Sequence, residues 1–351
     1  MGIPEKIKAI QDEILRTQNN KATEHHIGLL KAKIAKLKRE QETEQVKKSA
    51  KKQDGFDVKR TGDATVVFIG LPSVGKSTLL NRLTGSKSAI GAYQFTTLTV
   101  VPGVMNYRGA RIQVLDLPGI IKGASTGKGL GKRILSVARS ADIVLLVLDV
   151  FQPYHEDVLI NELGNIGIRL NQTPPDIVIE KSTTGGIAVA QQKKLKKMSE
   201  KLLKEILNIY GYTSARVVIK EDIESEQLID FINGNKTYAK GITILNKIDL
   251  VDEKFLKDVS KKLKTDFIPT SADSNKNINQ LKERIYNELQ FIRVYLRPKG
   301  GETDFKEPLI VRKGNTVADV CNKLHRNMKK DFRFGLVWGK SVKFGGQRVS
   351  L

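Results

Sequence analysis

Only one of the 351 residues is cysteine. Cys321 cannot close a disulfide within the chain, which points to a reducing, cytoplasmic setting. The four histidines (His25, His26, His155 and His325) show no metal-ligand spacing with it, so no zinc site is expected. Aromatic residues make up 6%, with a single tryptophan. Stacking on single-stranded bases is therefore not expected to dominate any nucleic-acid contact. No apolar run approaches the roughly 18–20 residues that a membrane span needs. The start, MGIPEKIKAIQDE, is charged where a signal peptide would be apolar. Acidic residues are also scarce: 38 Asp/Glu face 60 Lys/Arg, a net charge of +22. Residues 1–153 carry 25 Lys/Arg against 13 Asp/Glu, and residues 291–351 carry 14 against 5, while 154–290 balance 21 against 20. So uneven an excess suggests a polyanionic partner; a generally basic proteome is the plainer alternative.

Apolar positions in the chain recur with two periods. Residues 4–52 place Ile7, Ile10 and Ile14, then Leu30, Ile34 and Leu37, at helical spacing in a lysine-rich background. Two helices separated near Thr23–Gly28 are expected, either a solvated hairpin or a basic arm that docks on RNA or a partner; 53–61 read as a linker. The centre has short apolar runs at Thr65–Ile69, Ile112–Leu115, Ile143–Leu148, Ile242–Leu245 and Phe267–Ile268, with helical patterns between most of them. That alternation indicates an α/β fold with a parallel sheet covered on both faces. Residues 172–239 break the rhythm with a Pro-Pro turn, a hairpin-like Ile177–Ala190 bending at Gly185-Gly186, a lysine-rich helix near 192–210, a strand over Ala215–Lys220 and a short helix. They read as an α+β insert, leaving 62–171 and 240–290 as the central domain and 291–351 as a small α+β domain with one amphipathic helix over Val317–Met328.

The most specific motif is Gly70-Leu-Pro-Ser-Val-Gly75-Lys76-Ser77, which fits G-x-x-x-x-G-K-[ST] at every fixed position. It follows an expected strand and opens an expected helix. Glycines let the backbone approach a triphosphate, successive amides form an anion nest, and the helix N-terminus adds partial positive charge. Ser73, Val74, Gly75, Lys76, Ser77 and Thr78 are expected to line the nucleotide. Lys76 would reach the β- and γ-phosphates and the Ser77 hydroxyl would bind Mg²⁺.

A P-loop alone does not separate ATP from GTP. Asn246-Lys247-Ile248-Asp249 follows the run Ile242–Leu245 and has the N-K-x-D form of GTPases; Ser271-Ala272 follows Phe267–Ile268 and resembles the loop whose backbone reads the guanine oxygen. The resemblance implies that the Asp249 carboxylate accepts from guanine N1–H and its exocyclic amine, with the Lys247 stem along the base. Adenine has no such donor pair, so a buried Asp249 would be unpaired against it. Asp116-Leu-Pro-Gly119 has the D-x-x-G form, implying that Asp116 holds a Mg²⁺-bound water and that the Gly119 amide senses the γ-phosphate. Thr96 and Thr97 fall in the segment called switch I, and Thr97 is the expected Mg²⁺ cap. Lys76, Thr97 and Gly119 are thus the expected catalytic set, and Ser77, Thr97 and Asp116 the metal set. Ile120 stands where Ras-like enzymes place a water-orienting glutamine, so GTP hydrolysis by the isolated chain is expected to be slow. The glycine-rich run Gly123–Arg133 would cost entropy to order and suits a segment ordered by the γ-phosphate.

Together these residues resemble the Obg-like GTPases, and most closely the developmentally regulated GTP-binding protein family. The likeness is carried by GLPSVGKSTLLNRLTG at 70–85, AYQFTTLTVVPGVMNYRGARIQVLDLPGIIKGAS at 92–125, GKGLGKRILSVARSADIVLLVLD at 127–149 and ADVCNKLHRNMKKDFRFGLVWGKSVKFGGQRV at 318–349. It implies an N-terminal helical segment, a Ras-like G domain, an inserted subdomain and a C-terminal TGS domain of β-grasp type. It also implies a ribosome-associated role in translation elongation in archaea and eukaryotes, with ribosomal RNA and a dedicated protein as further partners. Two departures stand out. Some potassium-activated GTPases have asparagine at the fourth P-loop position, where this chain has Ser73; K⁺ stands as a second candidate cation beside Mg²⁺ in spite of that departure, which counts against it. The family's TGS domain usually continues past Gln347-Arg348-Val349 into an acidic strand, whereas this sequence ends at Leu351. The leading expectation is a GTP-hydrolysing switch. A constitutive RNA-binding protein with a structural nucleotide site, and a P-loop ATPase of RNA metabolism, are the competitors.

Overall fold

A computed structural model describes residues 2–18, 20, 23–48, 61–85, 93–95, 98–117, 137–298, 300–325 and 327–351. They form two compact units, 1–56 with 163–238, and 57–162 with 239–351.

The second unit is built on strands β1 (Ala64–Gly70), β2 (Tyr93–Phe95), β3 (Leu98–Tyr107), β4 (Ala110–Asp116), β5 (Ile143–Asp149), β6 (Thr237–Asn246) and β7 (Phe267–Pro269). Their order is β7-β6-β5-β1-β4-β3-β2. The first five are parallel, and β3 and β2 run antiparallel at one edge. All seven residues of β1, ATVVFIG, are buried, as a parallel strand covered on both faces requires. Helix Lys76–Thr84 packs Leu79, Leu80 and Leu83 into this core, joined by Leu281 and Ile285 of helix Ile278–Glu288. Every P-loop or guanine-motif residue in the described chain therefore leaves the sheet at a strand's carboxyl end, the usual place for ligands in open α/β sheets.

The C-terminal segment adds two antiparallel ribbons, Phe291–Val294 with Leu309–Arg312 and Gly335–Val337 with Gln347–Val349, and helix Val317–Leu324. Thr316 caps that helix by accepting from the Asp319 amide. Ile310 lies in the same buried cluster as Phe68. Gly109, with φ +84°, faces Pro308 so closely that a Cβ there would be 2.5 Å from its ring.

In the first unit, helix Glu24–Lys48 packs against helix Ile3–Arg16 and against the insert, and Ala32 shares a core with Leu203, Ile206, Leu207, Val217 and Leu228. Reading the N-terminal helices and the insert as separate segments did not anticipate this. A second correction concerns Ile177–Ala190. Strands Ile177–Lys181 and Ile187–Gln191 are not a hairpin: Ala215–Ile219 lies between them, antiparallel to the first and parallel to the second. Residues 182–186 span two strand spacings, about 10 Å, and the Ala215 amide donates to Gly186 O at 3.0 Å. The helix expected near 192–210 covers only Glu200–Ile209, its start fixed by Ser199, which accepts from the Leu202 amide.

Candidate nucleotide site

The P-loop turns between β1 and helix Lys76–Thr84 through two left-handed residues, Ser73 (φ 63°) and Gly75 (φ 92°). Val74 between them is buried in the main core. Glycine is required at 75 twice over. Its φ suits no β-carbon, and a Cβ there would lie 2.3 Å from Asn246 Nδ2. At Gly70 a Cβ would sit 2.6 Å from Val147 O.

Asn246, 2% exposed at the end of β6, ties three loops together. Its Nδ2 donates to Val74 O at 2.9 Å, and its Oδ1 accepts from the Ala272 amide at 3.1 Å. The P-loop, the Asn246–Asp249 turn and the Ser271-Ala272 loop thus meet, as the sequence motifs require. Ser271 is fully buried and Ala272 2% exposed. Since the Ala272 amide is committed to Asn246, a guanine oxygen approaching it would have to share that donor. Arg82 closes the same loop, donating to the carbonyls of Ala272 and Asp273 at 2.7 and 2.9 Å. Asp249 is exposed, where a buried carboxylate was expected.

The phosphate end is less settled. Lys76 is 8% exposed, and its Nζ donates to Gly70 O and Leu71 O at 3.2 and 2.8 Å. Burial pushes its pKa down, against the pull of Asp116. The Ser77 hydroxyl donates to Asp116 Oδ2 at 2.6 Å. Burial raises the Asp116 pKa despite that bond and the nearby Lys76. Asp116 Oδ1 is buried with no hydrogen-bond partner among the described residues. A hydroxyl and a carboxylate, one of whose oxygens is buried without a partner among the described residues, are hard donors that fit Mg²⁺ and its retained waters. Thr96, Thr97, Gly119, Ile120 and the glycine-rich run 123–133 lie outside the described residues, as does nearly all of the expected linker 53–61. Thr78 is half-buried in the first turn of the helix.

Residues 65–181 match the family described as 50S ribosome-binding GTPase, 184–291 the C-terminal region of that domain, and 292–351 the TGS domain. An uncharacterized GTP-binding protein of Methanocaldococcus jannaschii is 51% identical over 354 residues, covering 100% of this chain and 90% of its own. Developmentally-regulated GTP-binding protein 1 of Xenopus laevis is 44% identical, covering 99% of this chain and 95% of its own. The chain belongs to the developmentally regulated GTP-binding protein family. A further member, the protein 2 homolog of Dictyostelium discoideum, is 44% identical across 100% of this chain and 96% of its own. The Ras-like P-loop domain and the TGS segment of this GTP-binding protein thus accord with the family. Sequence motifs did not point to Arg82, nor to Asp149, whose Oδ2 accepts from Lys247 Nζ at 2.7 Å; both contacts depend on which loops the sheet brings side by side. The Leu-Asp end of the run at 143–149, level with Asn246 in the parallel register, is the signal that could have marked Asp149.

Proposed function

We propose that this protein binds GTP with Mg²⁺, hydrolyses it slowly, and uses the two nucleotide states as a switch on the ribosome in the cytoplasm. The observation that carries the reading is the Asn246 bridge: one buried amide fixes the phosphate loop against both guanine loops, so base and phosphate are bound by a single preformed unit. In it Asp249 reads the base edge, Lys247 covers its plane, and the P-loop amides with Lys76 hold the phosphates. Ser77 and Asp116 would hold Mg²⁺, which neutralises charge developing on the phosphoryl oxygens. Lys76 leaves the carbonyls of Gly70 and Leu71 for phosphate oxygens, a gain for a partly desolvated ammonium. Thr97 and Gly119 complete the γ-phosphate sensor, and Ile120 in place of a glutamine keeps the intrinsic rate low. The basic charge of residues 291–351 supports contact with ribosomal RNA. A dedicated protein partner or K⁺ would supply further activation; rates in KCl against NaCl test the cation.

Co-sedimentation with ribosomes in a non-hydrolysable GTP analogue, in GDP and without nucleotide, alongside GTPase rates, tests the switch. Analogue-dependent binding with slow turnover is expected. Equal binding in all three would favour an RNA-binding protein with a structural nucleotide site.

A further inference from the structure

Asp149 ends β5 and lies opposite Asn246 in the parallel register of β5 and β6. The amide of the next residue, Val150, donates to Asn246 O at 3.1 Å. Both Asp149 oxygens are used. Oδ1 accepts from the Phe151 amide at 3.0 Å, which sets the carboxylate's orientation. Oδ2 accepts from Lys247 Nζ at 2.7 Å. The side chains of Asp149 and Lys247 are 15% and 28% exposed. Lys247 has φ 67°, a left-handed conformation that a residue with a side chain adopts only when its surroundings hold it there.

Three features distinguish this from an ordinary surface ion pair. The carboxylate is fixed by the backbone before the lysine arrives. The lysine backbone is fixed by the same turn that presents Asn246 and Asp249. And the lysine is the residue whose stem must lie along a flat base. A free lysine would lose its rotamer freedom on each binding event, whereas one pinned at both ends has already lost it. We propose that Asp149 is a positioning residue that preorders Lys247 as one wall of the guanine pocket and so lengthens the residence of guanine nucleotides. The proposal rests on the guanine reading above. The effect belongs to the base end, so GDP and GTP gain equally from it.

The test uses the full chain and a fluorescent GDP. Release rates and nucleotide-free melting temperatures are measured for wild type, Asp149→Asn, Lys247→Met and the double variant. Asparagine keeps an oxygen for the Phe151 amide but removes the charge; methionine keeps an unbranched stem without the ammonium. Asp149→Asn is expected to speed release about three- to tenfold, with the nucleotide-free melting point within about 2 °C of wild type. The double variant is expected to release no faster than Lys247→Met alone, because Asp149 acts through Lys247. Release at the wild-type rate in Asp149→Asn, or effects that simply add in the double variant, would overturn the proposal. Should Asp149→Asn lower the nucleotide-free melting point, Asp149→Glu decides: near-wild-type release supports the charge pair, and release as fast as Asn refutes it. Asp249→Asn runs in parallel. If it leaves the preference for GDP over ADP intact, the guanine reading itself fails; if it abolishes that preference while Asp149→Asn changes nothing, only the Asp149 proposal falls.

Discussion

The two ends of the nucleotide site are built on opposite principles. At the base end the buried amide and the lysine are both paired: Asn246 bonds to Val74 O and to the Ala272 amide, and Lys247 is held by Asp149. At the phosphate end, charge is buried and only partly answered. Lys76 rests on backbone carbonyls, and Asp116 has one bonded oxygen and one without a partner among the described residues. The base end is thus preorganised and contributes to stability with or without ligand. The phosphate end is held in a costly state that a bound cation and phosphate would relieve. In the proposed switch this difference has a use, because the unsettled end is the one that would respond to the loss of one phosphate.

Substitutions can break or sharpen that contrast. Asn246→Ala should have the largest effect, leaving Val74 O and the Ala272 amide buried and unpaired. A loss of about 2–5 kcal/mol in nucleotide-free stability is expected in urea denaturation. A loss below 1 kcal/mol would mean that water replaces the bridge and that the base end is not preformed. Lys76→Ala should do the reverse, weakening GTP binding by about 100-fold through lost charge-assisted hydrogen bonds while leaving nucleotide-free melting unchanged or raised. Titration calorimetry and thermal melts separate the two outcomes.

Asp116→Asn comes next. It removes a buried charge, so the nucleotide-free protein should melt higher at neutral pH, while half-saturating Mg²⁺ for GTP binding should rise about 10- to 100-fold. The pH dependence has a definite sign. Folded Asp116 binds its proton more tightly than the unfolded chain does, because burial raises its pKa. Its contribution to stability is therefore greatest below the ordinary carboxylate range, near about pH 4, and declines as pH rises through the raised folded value. The stability difference between wild type and Asp116→Asn, followed against pH without nucleotide, should show that decline; a flat difference would remove the buried-charge account. The smallest effect should come from Lys323→Ala. Lys323, 40% exposed, pairs at 2.7 Å with Asp63, 16% exposed, outside both ends of the site. A cost below about 1 kcal/mol is expected, with no change in GTP affinity.

These contrasts were unevenly visible in the sequence. The P-loop was legible because its constraints are local: φ at Gly75 and the spacing to Lys76 and Ser77 are set within one turn. Four of the five parallel strands were legible as apolar runs because both their faces are buried; Phe267–Pro269, at the sheet edge, buries only Ile268. The insert was misread for the opposite reason. Gly185 and Gly186 do turn the chain, with φ of 98° and 69°, but which strand lies beside Ile177–Lys181 is decided by residues about thirty positions further on. The Asp116 oxygen without a partner among the described residues and the Asp149–Lys247 pair are likewise products of packing, which no motif spacing encodes. Thr97 and Gly119 remain expectations from the motifs.

The junction around Tyr286 has a practical corollary for dissecting the molecule. Tyr286 stacks edge-on against both Tyr107 and Phe291, at 5.7 and 5.6 Å, and Ile310 lies in the same cluster as Phe68. Cutting the chain before Phe291 would therefore not release a self-sufficient nucleotide-binding module. It would strip a wall from the G domain's own interior, and loss of nucleotide binding in such a fragment would report a wounded core rather than a role for the removed segment in recognising GTP.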